Sequence, residues 1–252
     1  MTRRQVPLPW LAPGDAFPEP DRAWGHETPA PGLLAAGGVL DVETLSRAYG
    51  SGIFPWFGDG QPILWWSTDP RMVLYPGEFR LHRSLRKTLV RFVHDSARCV
   101  VRFDSDFGAV VRACAGSPRE GQSGTWIVPE MVQAYEGLHR AGLAHSVETW
   151  IDGQLAGGLY CVGIGRAVFG ESMFTRVPDA SKIALAALVA FCRAQGVELI
   201  DCQQNTRHLA SLGAREIERR DFLASTRRHA AAPAMLWHFE PVYWSELLLL
   251  KA

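Results

Sequence analysis

Between Asp179 and Gln195 the chain is apolar on nearly every side, with Ile183, Leu185, Leu188, Val189 and Phe191 spread around a helical circumference. A helix without a polar stripe has to be covered all round, so this segment predicts a helix buried against a sheet and closed by Gly196. Strand patterns flank it. SVETWIDGQLAGGLYCVG (146–163) alternates and turns on Asp152-Gly153, a dipeptide that tolerates the positive φ angles of a tight hairpin. RAVFGESMF (166–174) reads as a third strand and ELIDCQ (198–203) as a short buried one. NTRHLASLGA reads as a short helix stopped by Gly213, after which the chain returns as a strand through EIERRDF.

Upstream, Pro129 is placed to open a helix whose buried stripe is Met131, Tyr135 and Leu138, ended by Gly142. From Arg80 to Phe92, Leu81, Leu85, Leu89 and Phe92 share one helical side, while Arg83, Arg86, Lys87 and Arg91 make a cationic face. A compact unit runs from Gly32 to about Pro70: Asp41 is a candidate N-cap, Leu45 and either Ala48 or Tyr49 fall at helical spacing, Gly50 stops the helix, and GIFPWF precedes the strand-like ILWW. Residues 1–31 are rich in proline and read as an extended arm lying on a surface. The running order of helix, hairpin, central strand, buried helix, strand, helix and returning strand predicts an α+β fold. Residues 1–70 would form an arm and a small domain, and 71–252 an N-acyltransferase (GNAT)-like domain.

With 26 basic and 26 acidic side chains the net charge is zero, so any nucleic-acid surface is local. Five widely spaced cysteines show no C-x-x-C pair, and none of the eight histidines lies in an H-E-x-x-H or G-x-S-x-G setting. We therefore expect no metal, no cofactor and reduced thiols. Prolines interrupt the N-terminal segment and no long apolar run occurs, which predicts a cytoplasmic protein without a membrane span.

Acyltransferases that use CoA hold its pyrophosphate on the backbone N–H groups of a glycine-rich turn at a helix N-terminus. Here that turn is TRVPDASK, with no glycine and with Pro178 lacking an N–H, so a different acyl donor is expected. Alternation along the strands puts Glu171 and Met173 on one face opposite Ser172, and Asp201 and Gln203 opposite Cys202. Such groups in apolar strands need partners, and Arg176 and Arg207 are the cations that a purely structural role would use. Trp56 and Trp126 stand at loop edges where an aromatic face can meet a base, a stack worth roughly 1–3 kcal/mol.

Together, GLLAAGGVLDVETLSRAYGSGIFPWF, PILWWSTDPR, GTWIVPEMVQAYEGLHRAGLAHSVE, GGLYCVG, FGESMFTR, ASKIALAAL and LIDCQ followed by ASLGAREIERRDF resemble the leucyl/phenylalanyl-tRNA–protein transferase family over residues 32–223. The resemblance implies a monomeric enzyme that binds the 3′ end of aminoacyl-tRNA. It would pass Leu or Phe, less readily Met, to proteins beginning with Arg or Lys, marking them for degradation by the N-degron pathway. Carried to matching positions, Trp56, Trp126 and Tyr135 would hold the terminal adenosine. Met173, Leu185 and Ile200 would line the side-chain pocket, and Glu171 would orient the aminoacyl end. Asp201 and Gln203 would stand closest to the attacking amine, and Arg83, Lys87 and Arg91 would face the tRNA. Tyr75 stands where the family pattern has tryptophan, and Leu188 and Val168 change volumes that would border the pocket and so bear on side-chain preference. The competing expectations are a CoA-dependent N-acetyltransferase of the same fold and a non-catalytic tRNA-binding module.

Overall fold

The N-terminal residues build a small sheet before the main one begins. A computed structural model describes residues 7–117 and 127–248, and among them two sheets form. In the first, β1 (Trp10–Leu11) pairs in parallel with β2 (Leu33–Gly37), and β3 (Phe54–Pro55) and β4 (Leu64–Trp66) complete the order β1-β2-β4-β3. The arm thus contributes a strand of its own, and Phe17 packs edge-on against the buried Trp65, whose Nε1 donates to Gly37 O at 2.9 Å. The helix α1 (Val42–Gly50) starts where Asp41 accepts from Thr44 N at 2.7 Å, and it buries Leu45, Ala48 and Tyr49.

The second sheet has the order β11-β5-β10-β9-β8-β7-β6. Its strands are β5 (Arg71–Leu74), β6 (Cys99–Phe103), β7 (Ala144–Ile151), β8 (Gln154–Ile164), β9 (Ala167–Thr175), β10 (Ile200–Gln203) and β11 (Arg215–Ile217). All neighbours are antiparallel except β9 and β10, which are joined through a helix as adjacent parallel strands require. The helices are α2 (Arg83–His94), α3 (Phe107–Ala115), α4 (Pro129–Arg140), α5 (Ala180–Ala194), α6 (Arg207–Ser211) and α7 (Arg219–Ala230). The α+β class and the order of elements from α4 to β11 are those expected. At the β7–β8 turn Asp152 and Gly153 have φ of 51° and 72°, the pair of positive angles that a type I′ hairpin demands.

One apolar cluster joins α1, α3, α4 and the first sheet to one side of β8 and β9; the other joins α2 and α5 to the opposite side. The helix α5 buries residues around most of its circumference, because it has sheet beneath it and the C-terminal 3-10 turn Pro241–Glu246 packed on it.

Three sequence expectations need correction. The helix expected from Arg80 begins only at Arg83; Arg80 is held outside it, its N–H donating to Leu212 O at 2.8 Å. The returning strand ends at Ile217, and Arg219 begins α7, which buries Phe222 and Leu223. Glu171 and Met173 do not share a face: pairing shifts between Tyr160↔Ser172 and Cys161↔Gly170, leaving Glu171 as an inserted residue. Val168 and Met173, five positions apart, consequently pack in the same cluster, whereas unbroken alternation would put them on opposite sides.

Candidate active site

The bulge that displaces Glu171 opens onto a cleft of about 320 Å³ between β3, β9, β10, α5 and α6. Its apolar wall is Met173, Leu185, Leu188 and Ile200, with Phe54, Pro55 and Trp56 across from them. Glu171 and Gln203 bring the polar groups, and Thr206 and His208 stand at the α6 end. Trp56 is half-buried, edge-on to Trp66 at 5.3 Å, and its carbonyl accepts from Trp66 Nε1.

Glu171 is gripped at both carboxyl oxygens. Oε2 accepts from the Tyr135 hydroxyl at 2.8 Å and Oε1 from Gln203 Nε2 at 3.1 Å. Tyr135 in turn meets Tyr49 OH at 2.6 Å. Burial is the largest influence on the Glu171 carboxyl, and with the nearby Asp201 charge it outweighs the tyrosine hydrogen bonds, pushing the pKa up to about 8. The same burial, with Glu171 next to them, holds Tyr49 and Tyr135 well above the usual phenol range.

Asp201 stands behind this group and lines no part of the cleft. It is fully buried and receives Arg71 in a two-pronged bond, Nε to Oδ1 at 2.8 Å and Nη2 to Oδ2 at 2.7 Å. Arg71 is itself buried, its guanidinium lying between the rings of Phe54 and Phe222 at 4.6 and 4.5 Å. Asp201 Oδ1 also accepts from Gln203 N at 3.0 Å, where Gln203 takes a φ of 53° at an irregularity of β10. The cation that a structural role demanded is therefore Arg71, and neither Arg176 nor Arg207 supplies it. Arg176 instead reaches Leu155 O and the Phe174 ring.

The structure thus gathers Glu171, Gln203, Trp56, Met173, Leu185 and Ile200 at one cleft. Tyr135 is buried behind Glu171 and does not line it. Trp126 lies outside the described residues. Arg83, Lys87 and Arg91 form an exposed stripe on α2, away from the cleft lining but tied to the start of α5 by Thr88 and Asp179 at 3.5 Å. Leu188, whose size departs from the family pattern, does line the wall; sequence reasoning missed Arg71, Tyr49 and His208, whose pKa burial and Lys182 lower. A buried Asp201 calls for a cation, and Arg71 opening the otherwise apolar RMVL was the available signal. Among the described residues no group of three or more His, Cys, Asp or Glu is placed to hold a metal ion, and no helix is long and apolar enough to cross a membrane.

Apart from Arg71, these features fall inside two matched regions. Residues 73–227 match the family described as leucyl/phenylalanyl-tRNA protein transferase, and residues 38–69 match that family's N-terminal domain. The chain belongs to the leucyl/phenylalanyl-tRNA protein transferase family. Proteins named leucyl/phenylalanyl-tRNA–protein transferase from Polaromonas sp. and Albidiferax ferrireducens are 63% and 60% identical to it, over 96% and 98% of this chain and 94% and 97% of theirs. One of the same name from Burkholderia vietnamiensis is 59% identical over 92% of this chain and 91% of its own. A solved structure titled as L-PGS from Bacillus licheniformis matches with 12% identity and a TM-score of 0.37, over 77% of this chain and 63% of that one. That likeness is too slight to bear on the fold. In transferase-family terms, Glu171, Asp201 and Gln203 lie within the longer matched region, and the cleft draws its lining from both, with Phe54, Pro55 and Trp56 in the shorter one.

Proposed function

We propose that this protein transfers Leu or Phe, less readily Met, from aminoacyl-tRNA to the α-amino group of proteins beginning with Arg or Lys. The product would be an N-degron that marks the acceptor for degradation. The observation that carries this reading is the cleft itself: an apolar wall of Met173, Leu185, Leu188 and Ile200 facing a carboxyl group and an amide, in a chain that is 63% and 56% identical to two transferases of that name. The apolar wall takes the aminoacyl side chain, Trp56 and Trp126 take the terminal adenosine, and the α2 stripe of Arg83, Lys87 and Arg91 meets phosphates.

The donor is already an activated ester, so the acceptor amine attacks its carbonyl carbon directly. The C–N bond forms, the ester C–O bond breaks, and the amine's proton leaves with the 3′ oxygen. A terminal amine with a reference pKa of about 7.7–8 keeps a useful neutral fraction near neutral pH. The protein's task is alignment and polarisation. Glu171 fixes the donor's own amino group. It is largely protonated in the empty cleft near pH 7, and an ammonium beside it favours the carboxylate.

Gln203 contacts the attacking amine or the developing oxyanion, and Asp201 holds Gln203 through its backbone N–H. Direct base action by Asp201 is disfavoured, because Arg71 occupies both of its oxygens and it has no exposure. A CoA donor is disfavoured by the β9–α5 turn. The N–H groups of Arg176 and Val177 both donate to Ala156 O, that of Ala180 donates to Val177 O, and Pro178 has none to offer a pyrophosphate.

The reading further takes the protein as a cytoplasmic monomer, with residues 1–70 as a small N-terminal unit on a GNAT-like domain of residues 71–252. The parallel β9 and β10 joined through α5 support that architecture. The test is transfer of labelled leucine from charged tRNA to a peptide beginning with Arg, without CoA. Product is expected; tRNA binding without product would make the protein a non-catalytic tRNA-binding module, and an acetylated peptide formed from acetyl-CoA with no leucyl transfer would make it an acetyltransferase.

A further inference from the structure

Behind the cleft, two buried phenols touch through their hydroxyls. Tyr49 comes from α1, Tyr135 from α4, and neither has any exposure. A hydroxyl taken out of water without a partner costs a few kcal/mol, so each must be hydrogen-bonded where it lies. Tyr135 donates to Glu171 Oε2 at 2.8 Å and meets Tyr49 OH at 2.6 Å, and the Tyr49 hydroxyl also reaches the Glu171 carboxyl. The two hydroxyls therefore lead from the N-terminal helix to the cleft and converge on the residue that β9 inserts at its bulge. An inserted residue has lost the cross-strand pairing that would hold it, and its side chain needs another anchor. Ring contacts fix the anchor in turn: Tyr49 packs on Phe169 at 5.2 Å and Tyr135 on Tyr160 at 5.0 Å.

We infer that Tyr49 and Tyr135 are positioning residues for Glu171. They act as a two-hydroxyl relay from α1 that pins one carboxyl oxygen and leaves the other to be shared by Gln203 and the substrate. This rests on the reading of Glu171 as the group that orients the donor, and it departs from the expectation that Tyr135 touches adenosine. The relay also sets the proton affinity of Glu171. The groups facing that carboxyl are Tyr49 on α1, Tyr135 on α4, Tyr160 and Cys161 on β8, Asp201 and Cys202 on β10, Arg71 on β5 and His208 on α6. Of these, the tyrosine hydroxyls are the ones that oppose burial through hydrogen bonds to the carboxylate, so losing them makes Glu171 hold its proton more tightly.

The decisive experiment needs no substrate. An infrared titration of the wild-type protein should show a protonated-carboxyl band that disappears near pH 8 and is missing from Glu171→Gln. In Tyr135→Phe the same band should persist to a pH about one unit higher, and in Tyr49→Phe the shift should be smaller. Transfer by Tyr135→Phe should fall about ten- to a hundredfold in kcat/KM, the loss of a hydrogen bond to a charged group. Adding Tyr135→Phe to Glu171→Gln should cost almost nothing more, since the relay then has no carboxylate to hold. If Tyr135→Phe does not fold, Tyr49→Phe carries the comparison alone. A band titrating at the wild-type pH in the folded tyrosine variants, or additive losses in the double variant, overturns the relay. A wild type that titrates as expected but transfers nothing overturns the proposed function and leaves the relay standing.

Discussion

Replacing Asp201 by Asn should unfold this protein more readily than its conservative appearance suggests. Asn keeps the shape but removes the charge, and it turns one acceptor into an N–H donor pointed at the Arg71 guanidinium. Arg71 then stays buried between Phe54 and Phe222 with a formal positive charge and one remaining acceptor on its former partner. Breaking a buried pair from one side costs on the order of 3–5 kcal/mol, against a total stability of about 5–15 kcal/mol. At roughly 2–4 °C per kcal/mol for a chain of this size, Tm should drop by roughly 6–20 °C.

Calorimetry with a urea melt at neutral pH measures this. Removing both charges, as Arg71→Met with Asp201→Leu, should recover most of the stability, because the desolvation of both ions is then avoided. Transfer activity separates the two roles of Asp201. The double variant should fold yet stay inactive if Asp201 works by holding Gln203 N, and recover activity if the pair is only structural. An Asp201→Asn protein within about 1 kcal/mol of wild type would refute the account of a dry, mutually dependent ion pair.

Three further outcomes follow from the geometry. The Glu171 carboxyl has its pKa raised from 4.5 to about 8, so its contribution to stability is complete below about pH 4.5 and lost as pH rises through about 8. Wild type should therefore lose on the order of 4 kcal/mol from this group across that window, and Glu171→Gln should flatten the decline; equal slopes in urea melts at about pH 5 and about pH 8.5 would contradict it. Leu188→Ala enlarges the apolar wall and should shift the Phe-to-Leu transfer ratio about tenfold toward Phe, read by competition between the two charged tRNAs. Replacing Arg83, Lys87 and Arg91 by Ala should lower the salt dependence of tRNA affinity by about one power of salt concentration per charge, with little change in kcat; an unchanged slope would remove α2 from the RNA interface.

Much of the scaffold could be read from short-range chemistry. Asp41 caps α1, Pro129 opens α4 and Asp152-Gly153 turns the hairpin, because each acts within a few residues of itself. The site was only partly readable, because its decisive features come from pairing between distant strands. Nothing in FGESMF announces that Glu171 is the inserted residue; that register depends on how β9 meets β8. Arg71 and Asp201 are 130 positions apart and Tyr49 and Tyr135 are 86 apart, so their contacts belong to the tertiary fold. Helix α7 escaped notice because RRDFLASTRRHA is dominated by charge, with only a short buried face at Phe222 and Leu223.

The central claim is that the aminoacyl side chain sits against Leu185 and its neighbours while its ester is attacked. Single-turnover transfer of labelled leucine to an Arg-initiated peptide, comparing wild type with Leu185→Trp, addresses it directly. Wild type should form product, whereas the variant, folded and still binding tRNA with the same salt dependence, should form almost none because the indole fills the cleft. Equal product from both proteins would place the aminoacyl group somewhere other than this cleft.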